Sequence, residues 1–369
     1  MVDLKGQYEK IKVEIDKAVL HTIGATQFIN GPQVKSFADN LASYTGSKHV
    51  IPCANGTDAL QIALMALDLN PGDEVICPSF TYVSTAEVIA LLGLKPVMAD
   101  VDPDTFNITA AIIEPLVTSR TSAIVPVHLY GQSCDMENII RLADKYNLYI
   151  VEDNAQAIGA EYTFDDGTVK STGTMGHIGT TSFFPSKNLG CYGDGGAIFT
   201  NDDFLAKKLQ MIANHGQETK YHHKITGCNS RLDSIQAAIL DIKLKFLNKY
   251  FVARNQMASR YDEAFKNISD LETPIRQEKS THVFHQYTLK TNPEHRDQII
   301  DYLKKKGIPA MIYYPVPLYR QEAFSRYVDS NFEIPNIEKL CKSVFSLPIH
   351  TEIESSNQDY IIEEVQNFF

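Results

Sequence analysis

The sequence predicts an α/β protein, with a mostly parallel central sheet followed by a smaller C-terminal α+β domain. Two observations carry that expectation. From about Asn55 to Thr200, short β-branched runs alternate with helical patterns, which is how βαβ units build a sheet covered on both faces. After "NSRLDSIQAAIL" the alternation stops, and no Gly or Pro interrupts the chain from Arg231 to Asn267. A helical span of that kind can join two domains rigidly. A chain of 369 residues has room for two, and the boundary is expected near Lys245, giving domains 1–245 and 246–369.

Taken in order, "DEVICPS", "KPVMADV", "TSAIVPVHLYG", "LYIVEDNAQ" and "GTTSFF" read as strands, each apolar and bounded by Gly, Pro, Asp or Ser. Between them, "TDALQIALMALDL" sets Leu60, Leu64 and Leu67 on one helical face, and "MENIIRLADKYN" repeats Ile139, Leu142 and Tyr146 in the same register. The second domain reads as strand "THVFHQYTLKT", helix "RDQIIDYLKKKG", strand "PAMIYYPVP", and helices around "NIEKLCKSVF" and "NQDYIIEEVQNFF".

Composition narrows the function. Hydrophobic residues make up 44% and charged residues 21%, as in ordinary globular proteins. A net charge of -11 disfavours a nucleic-acid surface, so any anionic ligand must be held by local groups. The six cysteines are scattered singly with no metal-ligand spacing; they suit reduced thiols in the cytoplasm, and no metal site is expected. The start "MVDLKGQYEKIKVEIDKAV" lacks a signal-peptide core, and no run of about 18 apolar residues suggests a membrane span.

In open α/β sheets ligands lie beyond the carboxyl ends of the strands, and three such ends carry chemistry. In "CANGTDAL", Gly56 and Thr57 open a helix whose free N–H groups suit a phosphate; a plain N-cap by Asn55 or Thr57 is the simpler alternative. In "LYIVEDNAQAIGA", Asp153 ends an apolar strand, where a carboxylate is costly unless paired. A protonated ring nitrogen is one partner, and capping of a following helix is another use. In "TSFFPSKNLGCYGDGGA", Ser182 and Lys187 enter the same rim. A lysine kept partly out of water becomes a nucleophile towards carbonyls, whereas a solvated one stays protonated.

A phosphate seat, an acid and an amine together describe pyridoxal 5'-phosphate. Lys187 would bind its aldehyde, and Asp153 would keep the ring nitrogen protonated so that the ring draws electrons. Tyr82 offers a stacking face, unless it merely fills the core, and Gln156 could approach the other face or the phenolic oxygen.

The segments "ANGTDALQIALMAL", "PSFTYVSTAEVI", "EDNAQAIGA", "SFFPSKNLGCYGDGGAIFTND" and "NSRLDSIQAAIL" resemble the motifs of the nucleotide-sugar aminotransferases of the DegT/StrS family, from about Asp3 to the end of the chain. The resemblance implies the type I PLP-dependent aminotransferase fold and a homodimer with active sites at the subunit interface. It implies that Thr57 and Ser182 bind the cofactor phosphate, that Asn229 reaches the same phosphate from the partner chain, and that Arg231 is a cross-subunit contact near the sugar nucleotide. By residues alone, "NSRLD" reads as a helix N-terminus. L-glutamate is the donor usual in the family, and a lysine at 187 rather than a histidine favours transamination over dehydration.

The stretches "CYGDGGAIFTNDD" and "HGQETKYHH" look most like the subgroup aminating C3 of a UDP-linked 2-acetamido-3-oxo-hexuronic acid, for a diamino sugar of surface polysaccharide such as the O-antigen of lipopolysaccharide. Arg231, His222 and His223 would compensate the uronate charge, the alternative for the histidines being simple solvation. In "MIYYPVPLY", Tyr313 stands where close relatives often have a histidine, and Tyr313 and Tyr314 are placed at the sugar pocket. The rival substrate is a dTDP-linked 6-deoxy keto-sugar aminated at C3 or C4. More distant rivals are another PLP reaction on an amino acid and a PLP-holding sensor.

Overall fold

The computed structural model describes residues 2–329 and 331–369. Seven strands form the central sheet in the order His49–Cys53, Gly196–Thr200, Ile178–Ser182, Tyr149–Asp153, Thr121–Ile124, Glu74–Pro78, Lys95–Ala99. Glu74–Pro78 and Gly196–Thr200 are buried at every position, which is why their sequences run apolar without alternation. Gly196–Thr200 is antiparallel to both neighbours; the other pairings are parallel. A helical crossover makes parallel pairs, whereas the link from Ser182 back to Gly196 is an irregular loop that reverses the chain. Lys187 rides on that loop.

The predicted helices are present as Gly56–Ala66 and Met136–Tyr146. The long helical stretch is two helices, Ser234–Leu244 and Leu247–Phe265. At the break, the N–H groups of Lys245 and Phe246 bond to carbonyls three residues back, Ile242 at 3.2 Å and Lys243 at 3.0 Å. That local tightening interrupts the regular ladder without any Gly or Pro. Helices Lys12–Ala25 and Pro32–Thr45 pack against Ser234–Leu244, and none of the three had been anticipated as a layer on the sheet.

The second part contains a three-stranded antiparallel sheet of Leu271–Glu272, Tyr287–Thr291 and Val344–Leu347, with helices Pro293–Lys305, Pro335–Ser343 and Ser355–Phe368. The strand expected over "THVFHQYTLKT" begins only at Tyr287. Before it, the N–H groups of Thr281, Val283 and Gln286 bond to carbonyls of Glu161, Gly131 and Tyr130, so the backbone is spent on the N-terminal part of the chain. "PAMIYYPVP" forms no regular strand; a single bridge, Met311 to Ser346, is all the pairing it makes. Two prolines, at 315 and 317, lack the donors a ladder needs. The peptide between Tyr313 and Tyr314 is cis.

The two largest apolar clusters lie one in each part of the chain's sheet structure. One lies around the central sheet and takes in Leu318, Tyr319, Phe324, Ile337 and Leu340 from the C-terminal part. The other joins Tyr261, Phe265, Tyr287, Leu289, Phe345 and Val365. Among the described residues, no helix is long and apolar enough to cross a membrane.

Candidate active site

A cavity of about 860 Å³ opens beyond the carboxyl ends of the central strands. Asn55 to Asp58 follow His49–Cys53, Thr81, Tyr82 and Ser84 follow Glu74–Pro78, Asp153 ends its strand and Ser182 ends its own; all reach the lining. The second part contributes His285, Gln286, Tyr313 and Tyr314.

Gly56–Ala66 starts at the cavity wall. Asn55 caps it, its side-chain oxygen accepting the Asp58 N–H at 2.8 Å. The cap leaves the N–H groups of Gly56 and Thr57 at the helix's positive end, so capping and anion binding coexist here. A Cβ at Gly56 would lie 2.7 Å from the Cβ of Ser182, so only glycine lets the two segments approach this closely. The Thr57 hydroxyl pairs with that of Ser84 at 2.7 Å.

Asp153 is 5% exposed. One carboxylate oxygen accepts from the Thr85 hydroxyl at 2.7 Å and the other from the Ala155 N–H at 3.1 Å. Both are neutral donors, and no cation pairs with this buried acid among the described residues. The Ala155 contact caps a turn rather than a helix, since Asn154 to Gly159 form no regular element. Thr85 was not visible as a functional residue: in "YVSTAEV" it reads only as part of a helix start. Thr85→Val is expected to remove a hydrogen bond to a charged group worth about 1.5–3 kcal/mol, lowering turnover on the order of ten- to a hundredfold. Steady-state kinetics beside a melting curve would check it, and turnover at the wild-type rate would exclude the role.

Lys187 sits in a turn closed by its own N–H to the Phe184 carbonyl and by the Cys191 N–H to the Phe183 carbonyl, each at 2.8 Å. Burial lowers its pKa from 10.5 to about 8, and the Asp153 charge offsets part of that. The ammonium has no hydrogen-bond partner among the described residues. His285, also missed from sequence, is buried at the same wall. Burial, then the Lys187 and Arg254 charges, push its pKa well below the usual value, so it stays neutral.

Tyr82 is 58% exposed and lines the cavity, which excludes core filling. Its ring lies 6.5 Å from that of Tyr314. Gln156 is held at both ends of its amide, accepting from the Tyr130 N–H at 2.9 Å and donating to the Tyr314 hydroxyl at 3.1 Å. The Tyr130 hydroxyl donates to the Tyr313 carbonyl.

Four expected residues lie outside this lining. Asn229 is exposed, and His222 and His223 are exposed on a hairpin of Gln217–Thr219 and His222–His223, with His223 Nδ1 2.8 Å from the His215 carbonyl oxygen. Arg231 donates to Asn214 at 3.1 Å, and its Nε is buried without a partner among the described residues. Asn229 and Arg231 do not begin a helix: the helix starts at Ser234, with Asp233 accepting the Gln236 N–H at 2.8 Å.

The donor set fits pyridoxal 5'-phosphate. Free helix N–H groups and two hydroxyls beside a glycine cradle suit a phosphate, a buried acid lacking a cation suits a pyridinium, and an amine of lowered pKa suits an aldehyde.

Comparison with known proteins agrees with that chemistry. Residues 9–366 match the model of the DegT/DnrJ/EryC1/StrS aminotransferase family. The chain is 44% identical to UDP-2-acetamido-2-deoxy-3-oxo-D-glucuronate aminotransferase of Pseudomonas aeruginosa, covering 99% of each protein. It is also 44% identical to a pleiotropic regulatory protein of Geobacillus stearothermophilus, covering all of this chain and 98% of the relative. The crystal structure of S. venezuelae DesV superposes with a TM-score of 0.95 at 36% identity, over all of this chain and 97% of that one. Further relatives are named as transaminases for dTDP-linked amino sugars, and a sugar aminotransferase of Streptococcus pneumoniae is solved in a PLP form.

Proposed function

Because the chain belongs to the DegT/DnrJ/EryC1/StrS aminotransferase family, whose enzymes use pyridoxal 5'-phosphate to aminate nucleotide-linked keto-sugars, we propose that it moves the amino group of L-glutamate to C3 of a UDP-linked 2-acetamido-3-oxo-hexuronic acid. The observation that carries the chemistry is a buried, cation-free Asp153 on the same cavity as a Lys187 amine of lowered pKa. Full-length identity to the Pseudomonas enzyme supports the sugar.

Bound here, the cofactor supplies a carbonyl for amines and a cationic ring that draws electrons from the neighbouring carbon. Lys187 would hold that carbonyl at rest and afterwards carry a proton as general base and acid. Asp153, aimed by Thr85, stabilises the ring cation. Gly56, Thr57 and Ser182 would hold the phosphate, Tyr82 would offer a stacking surface for the ring, and Gln156, Tyr313 and Tyr314 would stand towards the sugar. L-glutamate leaves as 2-oxoglutarate before the keto-sugar takes the nitrogen at the same site, so the kinetics are ping-pong.

A homodimer in the cytoplasm completes this reading. Asn229, Arg231, His222 and His223 lie away from their own chain's cavity, as residues serving a partner's site would. The domains divide near Lys245, where the helical stretch breaks.

A second reading is favoured by the dTDP-sugar relatives and by the phenol of Tyr313 at the sugar pocket: amination at C3 or C4 of a dTDP-linked 6-deoxy keto-sugar. Incubation with glutamate and each keto-sugar separates the two, the expected result being 2-oxoglutarate release with the UDP-uronate. Turnover of a dTDP substrate alone would overturn the uronate assignment. No turnover of any sugar, with the cofactor still bound, would favour a regulator.

A further inference from the structure

A buried lysine stands behind the turn that carries Lys187, itself only half-buried. Lys243, on helix Ser234–Leu244, is 1% exposed. Its ammonium donates to the Gly190 carbonyl at 2.5 Å and lies 5.0 Å from the centroid of the Tyr192 ring. No carboxylate pairs with it among the described residues. Two turns earlier on the same face, Gln236 accepts the Tyr192 N–H at 2.8 Å. Between them Leu240 packs in the cluster that holds Phe183, Leu189 and Cys191. One helix face therefore grips residues 189–193, immediately beyond Lys187.

The grip acts on a compact turn. A Cβ at Gly190 would lie 2.4 Å from the Pro185 carbonyl oxygen and 2.8 Å from that of Phe184. The backbone at Gly190 thus rests directly on the residues leading into Lys187, and whatever fixes the Gly190 carbonyl fixes the start of the turn as well.

Folding alone gives little reason for an ammonium here. A charge taken out of water without a counter-ion is unfavourable, and an apolar side chain of the same length would fill the space without that cost. Burial lowers the Lys243 pKa from 10.5 to about 8. Local losses of this kind are expected where they serve a site.

We propose that Lys243, with Gln236, is a positioning residue that fixes the turn through the Gly190 carbonyl and the Tyr192 N–H, so that the Lys187 amine stays desolvated and in line with the carbonyl it attacks. The proposal rests on Lys187 being the reacting amine. Without the Lys243 ammonium the turn keeps its own two hydrogen bonds and the Gln236 contact but loses the helix's hold on the Gly190 carbonyl, and Lys187 gains water.

The test compares wild type with Lys243→Met, which retains the stem and removes the donor, and with Gln236→Leu. Three quantities are measured: the Kd for pyridoxal 5'-phosphate, the pH midpoint at which an amine reagent labels Lys187 in the cofactor-free protein, followed by peptide mass, and the melting temperature. For both variants the cofactor Kd rises about tenfold. The labelling midpoint moves up towards that of exposed lysines, while the melting temperature holds or rises for Lys243→Met. A purely structural lysine would lower the melting temperature and leave the midpoint in place. Wild-type Kd and midpoint in Lys243→Met overturn the proposal. Should that variant fail to fold, Gln236→Leu decides by the same two quantities. If borohydride fails to fix the cofactor to Lys187 in the wild type, the reading of the site falls instead.

Discussion

Lys187→Ala is expected to lose the covalent hold on the cofactor and to lower transamination on the order of a thousandfold or more, since one side chain supplies both the nucleophile and the proton carrier. The wild-type protein should be yellow, with a band that borohydride bleaches and a reduced adduct that maps to the peptide containing Lys187. The variant should show neither. The pH dependence has a definite sign. Burial places the amine at about 8 instead of 10.5. In the cofactor-free protein its reactivity therefore rises with pH up to about 8 and then levels off, and each unit below costs about tenfold in free amine. Exposed lysines keep rising well beyond that point. An adduct mapping to another lysine, or a midpoint near 10.5, would remove Lys187 from the chemistry.

Asp153→Ala is expected to separate binding from rate. Gly56, Thr57 and Ser182, proposed to hold the phosphate, and the amine of Lys187 are untouched, so the cofactor is expected to stay. What goes is the buried counter-charge for the ring nitrogen. Removing one partner of a buried pair costs about 3–5 kcal/mol, on the order of a hundred- to a thousandfold or more in turnover. The cost falls on rate because the ring cation is needed most while electrons flow into it. Asp153→Asn should be nearly as slow, because an amide keeps the shape without the charge. Cofactor content from absorbance, set beside kcat, checks both variants. Turnover near the wild-type rate in either would show that the acid at 153 has another purpose.

Much of the cavity lining was legible in the sequence, for a physical reason. Strands buried on both faces must be apolar, so a charged residue at the end of one, as in "LYIVED", stands out against its own run. Lys187 stood out in the same way after "GTTSFF". The helix start on the cavity wall was legible because it has a signature in Gly, Thr and Asn. Residues acting across the fold had no such contrast. Thr85 reaches Asp153 from a different helix, and Lys243 reaches Gly190 from another layer. His285 comes from a segment whose backbone bonds to the N-terminal part of the chain instead of to a strand, so no period marks it. The strands His49–Cys53 and Gly196–Thr200 escaped notice because one contains Pro52 and the other follows a run of glycines. The helix break near Lys245, where only a domain boundary is expected from the sequence, was hidden for the opposite reason: two hydrogen bonds reaching three residues back interrupt a helix without changing its composition.

The double use of the Gln156 amide reaches beyond geometry. It ties a loop near the middle of the chain to a hydroxyl at 314, while the Tyr130 hydroxyl holds the carbonyl at 313. During synthesis, then, the pocket stays open on one side until the ribosome has released nearly the whole chain. A ligand that favours only the finished form draws the last segment into place by mass action.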